Sequence, residues 1–193
     1  MTQDQVCLIA LGSNLPCDGR PPEQTLRAAV RDLAAAGAEI IAVSRFFQTP
    51  CFPAGAGPDY VNAALAMRWG GDPATVLQLL HQIEARHARV RETRWAGRTL
   101  DLDLIAFGQQ VLPDAQTQTR WRDLPLKEQM RAAPDQLVLP HPRLQDRPFV
   151  LIPLNDVAPD WRHPLLGGSI AEFCADLPLQ AQKEVVPLPM PDP

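Results

Sequence analysis

The sequence predicts a single domain of the α+β class, and two observations lead to that prediction. The chain has 193 residues, of which 46% are hydrophobic, and this is enough for one hydrophobic core but not for two. Short apolar runs also alternate with longer stretches in which apolar residues recur at helical spacing. Strands and helices that alternate in this way pack as a sheet with helices against it.

Three elements are predicted in the first quarter of the chain. Residues 6–12 are a continuous apolar run that ends in glycine, which is typical of a strand buried on both faces. Prolines followed by apolar residues at helical spacing predict a helix over residues 21–37, with Gly37 closing it. Residues 38–49 are rich in β-branched and aromatic side chains, and they predict one long strand.

The second half of the core repeats this pattern. A Pro/Gly loop at 50–58 precedes an alternating strand at 60–69. Asp72 before a proline predicts the N-cap of a helix that ends near residue 87, and a last strand is predicted at 99–108. The order β-α-β-β-α-β predicts a ferredoxin-like fold, in which an antiparallel sheet carries both helices on one face. We expect the other face to be open and to carry the site.

Downstream of this core the sequence predicts peripheral structure. A hairpin-like stretch leads into a polar excursion at 113–136, which we expect to be peripheral to catalysis. Ser169 and Glu172 have the spacing of a capping box at the start of a C-terminal helix. We therefore expect one domain over residues 1–180 and a disordered tail at 181–193.

Composition argues against several classes of protein. Acidic residues outnumber basic ones by 22 to 18 and the formal charge is -4, so neither nucleic acid nor a membrane is an expected partner. The four cysteines are widely separated, which argues against a disulfide framework or a zinc site. No signal-peptide pattern or long apolar run is present. We expect a cytoplasmic monomer, with a dimer left open.

Two aspartates one residue apart mark the last predicted strand. If Leu100, Leu102 and Leu104 face the helices, Asp101 and Asp103 project together to the opposite face. Two carboxylates at such a short distance repel each other unless a positive charge lies between them. Mg²⁺ prefers carboxylate oxygens as ligands. The alternative is a solvated outer face of an edge strand.

Four arginines, at positions 89, 91, 94 and 98, lie between the second helix and this strand. Guanidinium groups beside a carboxylate pair suit a site for Mg²⁺ and polyphosphate, although a charged loop can also simply be solvated. The sequence has no glycine-rich phosphate loop, so side chains would have to bind the phosphates.

Aromatic and basic residues elsewhere predict a ligand with a flat ring. His141, Arg147 and Phe149 occur in a proline-rich stretch, and Tyr60 and Asn62 share one face of a predicted strand. Each of these would be unremarkable alone, as a core or structural group. Together they could stack a heterocycle and read its edge through an amide.

Several blocks of the sequence together resemble one enzyme family. They are ALGSNL, DYVNAA, RWAGRTLDLD and LPHPRLQDRPFVLIPL, and the similarity runs from about residue 6 to 164. On these blocks the chain is identified as a member of the 6-hydroxymethyl-7,8-dihydropterin pyrophosphokinases of folate biosynthesis. The resemblance implies transfer of the β,γ-pyrophosphoryl unit of ATP to the hydroxymethyl oxygen of a reduced pterin, with release of AMP.

The resemblance also implies roles for individual residues. It makes Asp101 and Asp103 the ligands of two Mg²⁺ ions, with Arg89 and Arg98 as further catalytic residues. The residues implied to bind ATP are His81, Glu84, Arg91, Trp95, Arg98, Ile105, His141 and Arg147. The residues implied to bind the pterin are Gly12, Thr49, Pro50, Phe52, Tyr60, Asn62, Trp95 and Phe149.

Two other functions remain open on the same element order. An RNA-binding module can share it, because a fold does not determine a function. Acids at 101 and 103 would, however, repel phosphates in the absence of metal. The second alternative is a non-catalytic nucleotide-binding protein, against which the intact aspartate pair argues.

Overall fold

A computed structural model describes the protein at residues 5–51, 55, 57–87, 99–129 and 131–189. The strands of these residues are β1 (Gln5–Ser13), β2 (Glu39–Val43), β3 (Phe47–Thr49), β4 (Tyr60–Trp69), β5 (Asp101–Phe107) and β6 (Val186–Pro187). The helices are α1 (Pro22–Ala35), α2 (Pro73–Arg86), α3 (Ala115–Arg122), α4 (Leu126–Gln129), α5 (Pro148–Val157), α6 (Ile170–Ala175) and α7 (Leu179–Lys183). Within these residues no helix is long and apolar enough to cross a membrane.

The strands form one antiparallel sheet. Its order is β5-β1-β4-β3-β6, and β2 also pairs with β4. β1 is an inner strand, because it pairs with β4 on one side and with β5 on the other. The crossover helices α1 and α2 follow β1 and β4, so the predicted ferredoxin-like order is confirmed.

One face of the sheet packs on α1 and α2 and forms the main core. Leu11, Leu65 and Leu102 come from three adjacent strands and are buried there, together with Leu33 of α1 and Leu80 of α2. Successive residues of a strand project to opposite faces, so alternate positions of each strand supply this core. The expectation that the leucines of the last strand face the helices is confirmed.

The opposite face is not fully open, and the expectation that it would be was wrong. α5 and α6 cover one end of it, where Leu8 of β1 and Ile105 of β5 pack against Leu151, Leu154 and Ile170. The stretch that forms α5 is almost entirely apolar, and a helix of that composition needs a surface on which to pack. The site is therefore confined to the other end of this face.

β2 and β3 replace the single long strand predicted over residues 38–49. At Ser44 the backbone amide donates to the Ala64 carbonyl at 2.9 Å, while Ser44 Oγ accepts from the Ala64 amide at 2.8 Å. The side chain thus takes the place of a backbone carbonyl, and the strand is interrupted between Val43 and Phe47. A hydroxyl that competes for a ladder hydrogen bond is the physical reason for the break.

The C-terminal region contains more structure than the sequence predicted. β6 pairs with β3, and the Leu188 amide donates to the Phe46 carbonyl at 2.8 Å. The prediction of a disordered tail is therefore wrong for residues 181–189, and residues 190–193 lie outside the described residues. The predicted capping box is present, with Ser169 and Glu172 exchanging both of its hydrogen bonds.

The excursion after β5 folds back onto the core. Leu112 and Leu139 exchange two backbone hydrogen bonds, of 2.9 and 3.1 Å, which bring its two ends together. The expected hairpin is reduced to this bridge. Between its ends lie α3 and α4, and Asp114 caps α3 by accepting from the Thr117 amide at 2.8 Å.

Candidate active site

A row of residues crosses the uncovered end of the sheet. The strand register pairs Gly12 of β1 with Asn62 of β4 on one side and with Asp101 of β5 on the other. All three face away from α1 and α2, because their neighbours along each strand are buried against those helices. A Cβ atom at position 12 would lie 3.1 Å from Asn62 Oδ1 and 4.0 Å from Asp101 Cβ. Glycine therefore keeps open the space between the amide and the carboxylate.

Several residues expected to bind the pterin lie in this row or next to it, on β3 and β4. Asn62 Nδ2 donates to Thr49 Oγ1 at 2.7 Å, and both side chains are buried. This hydrogen bond fixes the orientation of the amide and turns its oxygen toward position 12. Tyr60 opposes Thr49 in the ladder between β3 and β4, and Pro50 follows directly.

Phe149 lies near the start of α5 and is 40% exposed. The guanidinium carbon of Arg147 lies 5.8 Å from the centre of its ring, within the range of a cation–π contact. A large aromatic that is this exposed can provide a face for a planar ligand.

Asp103 is the second carboxylate of β5 and lies next to a second group of site residues. It pairs with Ala10 in the register and so projects to the same face as Asp101. Arg147 Nη1 lies 3.9 Å from Asp103 Oδ2, and both side chains remain partly exposed. A contact this long is at the limit of an ion pair, and it leaves the carboxylate oxygens available to other ligands.

A cavity of about 530 Å³ opens beside Asp103. Its lining includes three residues expected to bind ATP, namely His81, His141 and Arg147. Its size is typical of a small-molecule site. Trp121 and residues 132–136 of the excursion also line it. The expectation that the excursion is peripheral to catalysis stays a prediction.

His141 is held at the cavity in its neutral form. Burial, and then the positive charges of Arg147 and Arg143, lower the pKa of His141 to about 3. The Arg143 amide donates to His141 Nδ1 at 3.1 Å, so the ring proton of the neutral imidazole belongs on Nε2. His141 can therefore donate a hydrogen bond to an anion without carrying a charge itself.

Two residues expected to bind ATP also have partners within the protein, and their roles toward ATP stay predictions. Glu84 is buried, and its Oε1 accepts from the Leu102 amide at 2.9 Å, which ties α2 to β5. Ile105 is buried under α5, and its carbonyl accepts from the His141 amide at 2.8 Å. Both residues position neighbouring site groups.

Five of the implied site residues lie outside the described residues. They are Phe52, Arg89, Arg91, Trp95 and Arg98. The roles implied for them by the resemblance stay predictions.

The donor set at β5 fits magnesium better than a transition metal. Within the described residues no group of three or more His, Cys, Asp or Glu side chains comes together. A structural zinc site needs more protein ligands than this. Mg²⁺ is usually held by one or two carboxylates and keeps water and phosphate oxygens as its other ligands. Asp101 and Asp103 match that requirement.

Trp121 is the residue at the cavity that sequence reasoning missed. The sequence did contain a signal for a helix here, because Asp114 and Thr117 have the spacing of a helix N-cap. A helix starting there places Gln118 and Trp121 on one side, three residues apart. Gln118 is fully buried, so that side is the inner one.

The fold and the cavity together define a class of protein. A ferredoxin-like sheet with a carboxylate pair beside a cavity lined by arginine and histidine is suited to an enzyme of phosphoryl-group transfer. Residues 8–159 match the model of the 7,8-dihydro-6-hydroxymethylpterin-pyrophosphokinase (HPPK) family. The chain belongs to this family.

Individual relatives agree with the family match. A 2-amino-4-hydroxy-6-hydroxymethyldihydropteridine pyrophosphokinase of Pseudomonas aeruginosa is 36% identical over 89% of this chain and 91% of its own length. One of the same name from Synechocystis is 33% identical over 93% of this chain and 80% of its own length.

A crystal structure of Plasmodium falciparum HPPK-DHPS is similar in fold. It superposes with a TM-score of 0.64 at 14% identity and covers 90% of this chain, which spans 44% of that longer chain. At this identity the likeness shows the fold alone.

Membership of the family defines the reaction. The chain is an ATP-dependent pyrophosphokinase that transfers pyrophosphate from ATP to 6-hydroxymethyl-7,8-dihydropterin in folate biosynthesis. The fold that the sequence resemblance implied is confirmed together with this activity.

Proposed function

We propose that the transfer takes place between two adjoining subsites joined by Asp101 and Asp103. The pterin occupies the space over Gly12, where Asn62 and Thr49 lie. The triphosphate of ATP occupies the cavity beside Arg147 and His141. Two Mg²⁺ ions would be held by the aspartates, and when bound they would neutralise phosphate charge and lower the pKa of the pterin hydroxyl.

One observation carries this proposal. Asp101 belongs to the row with Gly12 and Asn62, whereas Asp103, two residues further along the same strand, lines the cavity with Arg147. A single strand therefore holds one carboxylate at each subsite and both on the same face. Groups that must meet in a transfer reaction benefit from such fixed positioning, because their approach no longer costs orientational freedom.

The remaining residues have defined tasks in this arrangement. The Asn62 amide is oriented by Thr49 and presents its oxygen to the edge of the pterin ring. Phe149 offers an aromatic face, and neutral His141 donates from Nε2 to a phosphate oxygen. The hydroxymethyl group loses its proton to water, its oxygen attacks the β-phosphorus, and the bond from the β-phosphorus to the bridging oxygen breaks, so that AMP leaves with that oxygen. Arg147 supplies positive charge during this transfer.

The test is to replace each aspartate by asparagine. In an assay with ATP, Mg²⁺ and the reduced pterin, we expect Asp101→Asn and Asp103→Asn each to lower AMP release by at least about a thousandfold. Asparagine keeps the size of the side chain and removes the charge that a hard cation requires. Asp160→Asn, at an exposed aspartate, is the matched control and should retain full activity.

Unfolding in urea separates this effect from a loss of structure. Both site variants should unfold close to the wild-type denaturant concentration, because both carboxylates are partly exposed and interactions of exposed charges contribute little to stability. Near-normal AMP release by either folded variant would contradict the metal assignment at that position. The monomeric state and the cytoplasmic location stay predictions, and light scattering on the purified chain would check the former.

A further inference from the structure

The excursion is held firmly against the segment that carries His141. The bridge between Leu112 and Leu139 closes its neck. A second tie lies further along, where Gln118 of α3 is fully buried and its Nε2 donates to the Pro140 carbonyl at 3.2 Å. A buried amide that finds a specific partner fixes the helix in one position. α3 is thus attached to the residue immediately before His141.

This attachment turns Trp121 toward the site. Residues three apart on a helix lie on the same side, so Trp121 follows Gln118 onto the inner side of α3. There the half-buried indole lines the cavity, and the return part of the excursion, residues 132–136, lines it as well. The excursion therefore forms one wall of the cavity.

The two sources of cavity lining differ in chemistry. The core supplies charged and hydrogen-bonding groups, among them Asp103, His141 and Arg147. The excursion supplies an indole and the small apolar residues Ala132, Ala133 and Pro134, with Asp135 and Gln136 as its polar members. A ligand that satisfies both parts has a strongly anionic end and a flat apolar end. A nucleoside triphosphate has this composition.

We propose that the excursion is the base-binding wall of the nucleotide subsite and that the Trp121 indole contacts the base of bound ATP. The inference rests on the proposed function, since it takes the cavity to be the ATP site. It adds a binding residue from a segment that the sequence predicted to be peripheral. The indole offers a π face that any nucleobase can stack on, so the contact contributes affinity more than base selectivity.

Calorimetric titration with two probes tests the contact. The probes are α,β-methylene-ATP, in which the bond cleaved by the enzyme is replaced, and inorganic tripolyphosphate, each with Mg²⁺. We expect Trp121→Ala to weaken binding of the nucleotide analogue at least about fivefold, which corresponds to the low end of the effect of base stacking, about 1 kcal/mol. Tripolyphosphate has no base, so its affinity should be unchanged.

Further variants keep the test decisive. Trp121→Leu retains apolar volume without an aromatic face, and it should show the same selective loss if Trp121→Ala does not fold. Trp121→Phe should retain most of the affinity. Gln116→Ala, at an exposed position of the same helix, is the matched control and should bind both probes as the wild type does.

Two results would overturn the inference. One is wild-type affinity of the analogue for both Trp121→Ala and Trp121→Leu. The other is an equal loss of affinity for both probes, which would mean that Trp121 only supports the structure. Arg147→Ala separates these outcomes from failure of the proposed function. This variant should bind both probes more weakly. Unchanged affinity for both would show that the phosphates bind elsewhere, whatever the result for the Trp121 variants.

Discussion

The two faces of the sheet are built from the same strands but differ in how far their apolar residues extend. Toward α1 and α2, leucine and other apolar side chains occupy the inward positions of β1, β4 and β5 along their length. On the opposite face the apolar side chains occupy only the end of the strands that α5 and α6 cover. Along β1, Leu8 lies under α5 and α6 whereas Gly12 lies in the open row. Along β5, Ile105 gives way to Asp103 and Asp101 in the same manner.

This difference shows how one sheet separates stability from chemistry. The fully apolar face has no ligand to bind and contributes burial. The divided face holds two carboxylates close together, which is unfavourable for the empty protein but useful when substrates and cations arrive. Substitutions on the first face should therefore change unfolding and leave substrate binding alone, and substitutions in the open row should do the reverse.

The largest effect on stability is expected on the apolar face. Leu65 is fully buried in the main core, so we expect Leu65→Ala to lower the free energy of unfolding by about 3 kcal/mol, through lost burial and the cavity left behind. Urea unfolding measures this. The KM for ATP of the folded variant should stay at the wild-type value. Leu179→Ala, at a side chain that is 75% exposed, is the matched control and should change stability by less than about 0.5 kcal/mol. Equal losses in the two variants would break the comparison.

A pH-dependent effect of similar or smaller size is expected beside the covered end of the other face. His163 is buried there, with the rings of Trp161 and Phe173 edge-on to it at centroid distances of 5.9 and 6.4 Å. Its Nδ1 accepts from the Leu165 amide at 3.2 Å. Burial, and then the charge of Arg122, lower the pKa of His163 from 6.5 to about 4.

The unfolded chain therefore binds a proton at this position at a higher pH than the folded chain does. The free energy of unfolding is therefore highest above pH 6.5 and decreases as the pH falls toward 4. The total decrease is as much as about 3 kcal/mol. His163→Asn keeps an acceptor near the Leu165 amide and has no proton to take up. Urea unfolding gives the free energy of unfolding of wild type and variant at each pH. We expect the difference between the two to change between pH 6.5 and 4 and to be constant above pH 6.5. Parallel pH profiles would show that His163 does not remain neutral in the folded protein.

The smallest effect, and the one that sharpens the comparison most, is expected at Gly12. In Gly12→Ala the new methyl group would meet Asn62 Oδ1 at 3.1 Å, so the amide must shift away from its position over the row. We expect pterin affinity to fall about tenfold, or 1.4 kcal/mol, with the affinity for α,β-methylene-ATP unchanged and stability altered only slightly. Calorimetry with each ligand measures both. A variant that lost both affinities equally would show that the two subsites are not separate.

The sequence predicted those parts of the structure that follow from local periodicity and local capping. The Asp72 cap, the alternation that places Asp101 and Asp103 on one face, and the capping box at Ser169 depend on neighbouring residues, and all were predicted. The errors came from long-range partners. Ser44 interrupts a strand because of a hydrogen bond with Ala64, on another strand.

The same limit applied to the candidate site. Glu84 was expected near the nucleotide, which stays a prediction, and no sequence pattern indicated that its carboxylate accepts from a backbone amide of β5. Trp121 was assigned to a peripheral segment, but the tie from Gln118 to Pro140 brings that segment to the cavity. Neither partner is marked by spacing in the sequence, because both contacts join elements that only the fold brings together.

The bridge between Leu112 and Leu139 has a consequence for how such an enzyme can vary. Because these two residues fix where the chain leaves the core and where it returns, the segment between them can lengthen or shorten without displacing Asp103 or His141. The entropic cost of a longer loop grows slowly, by roughly 0.6 kcal/mol for each doubling. The segment between the bridged residues is thus an exchangeable module. Recombination could replace it as a unit, altering one wall of the cavity while leaving the strand that carries the aspartates unchanged.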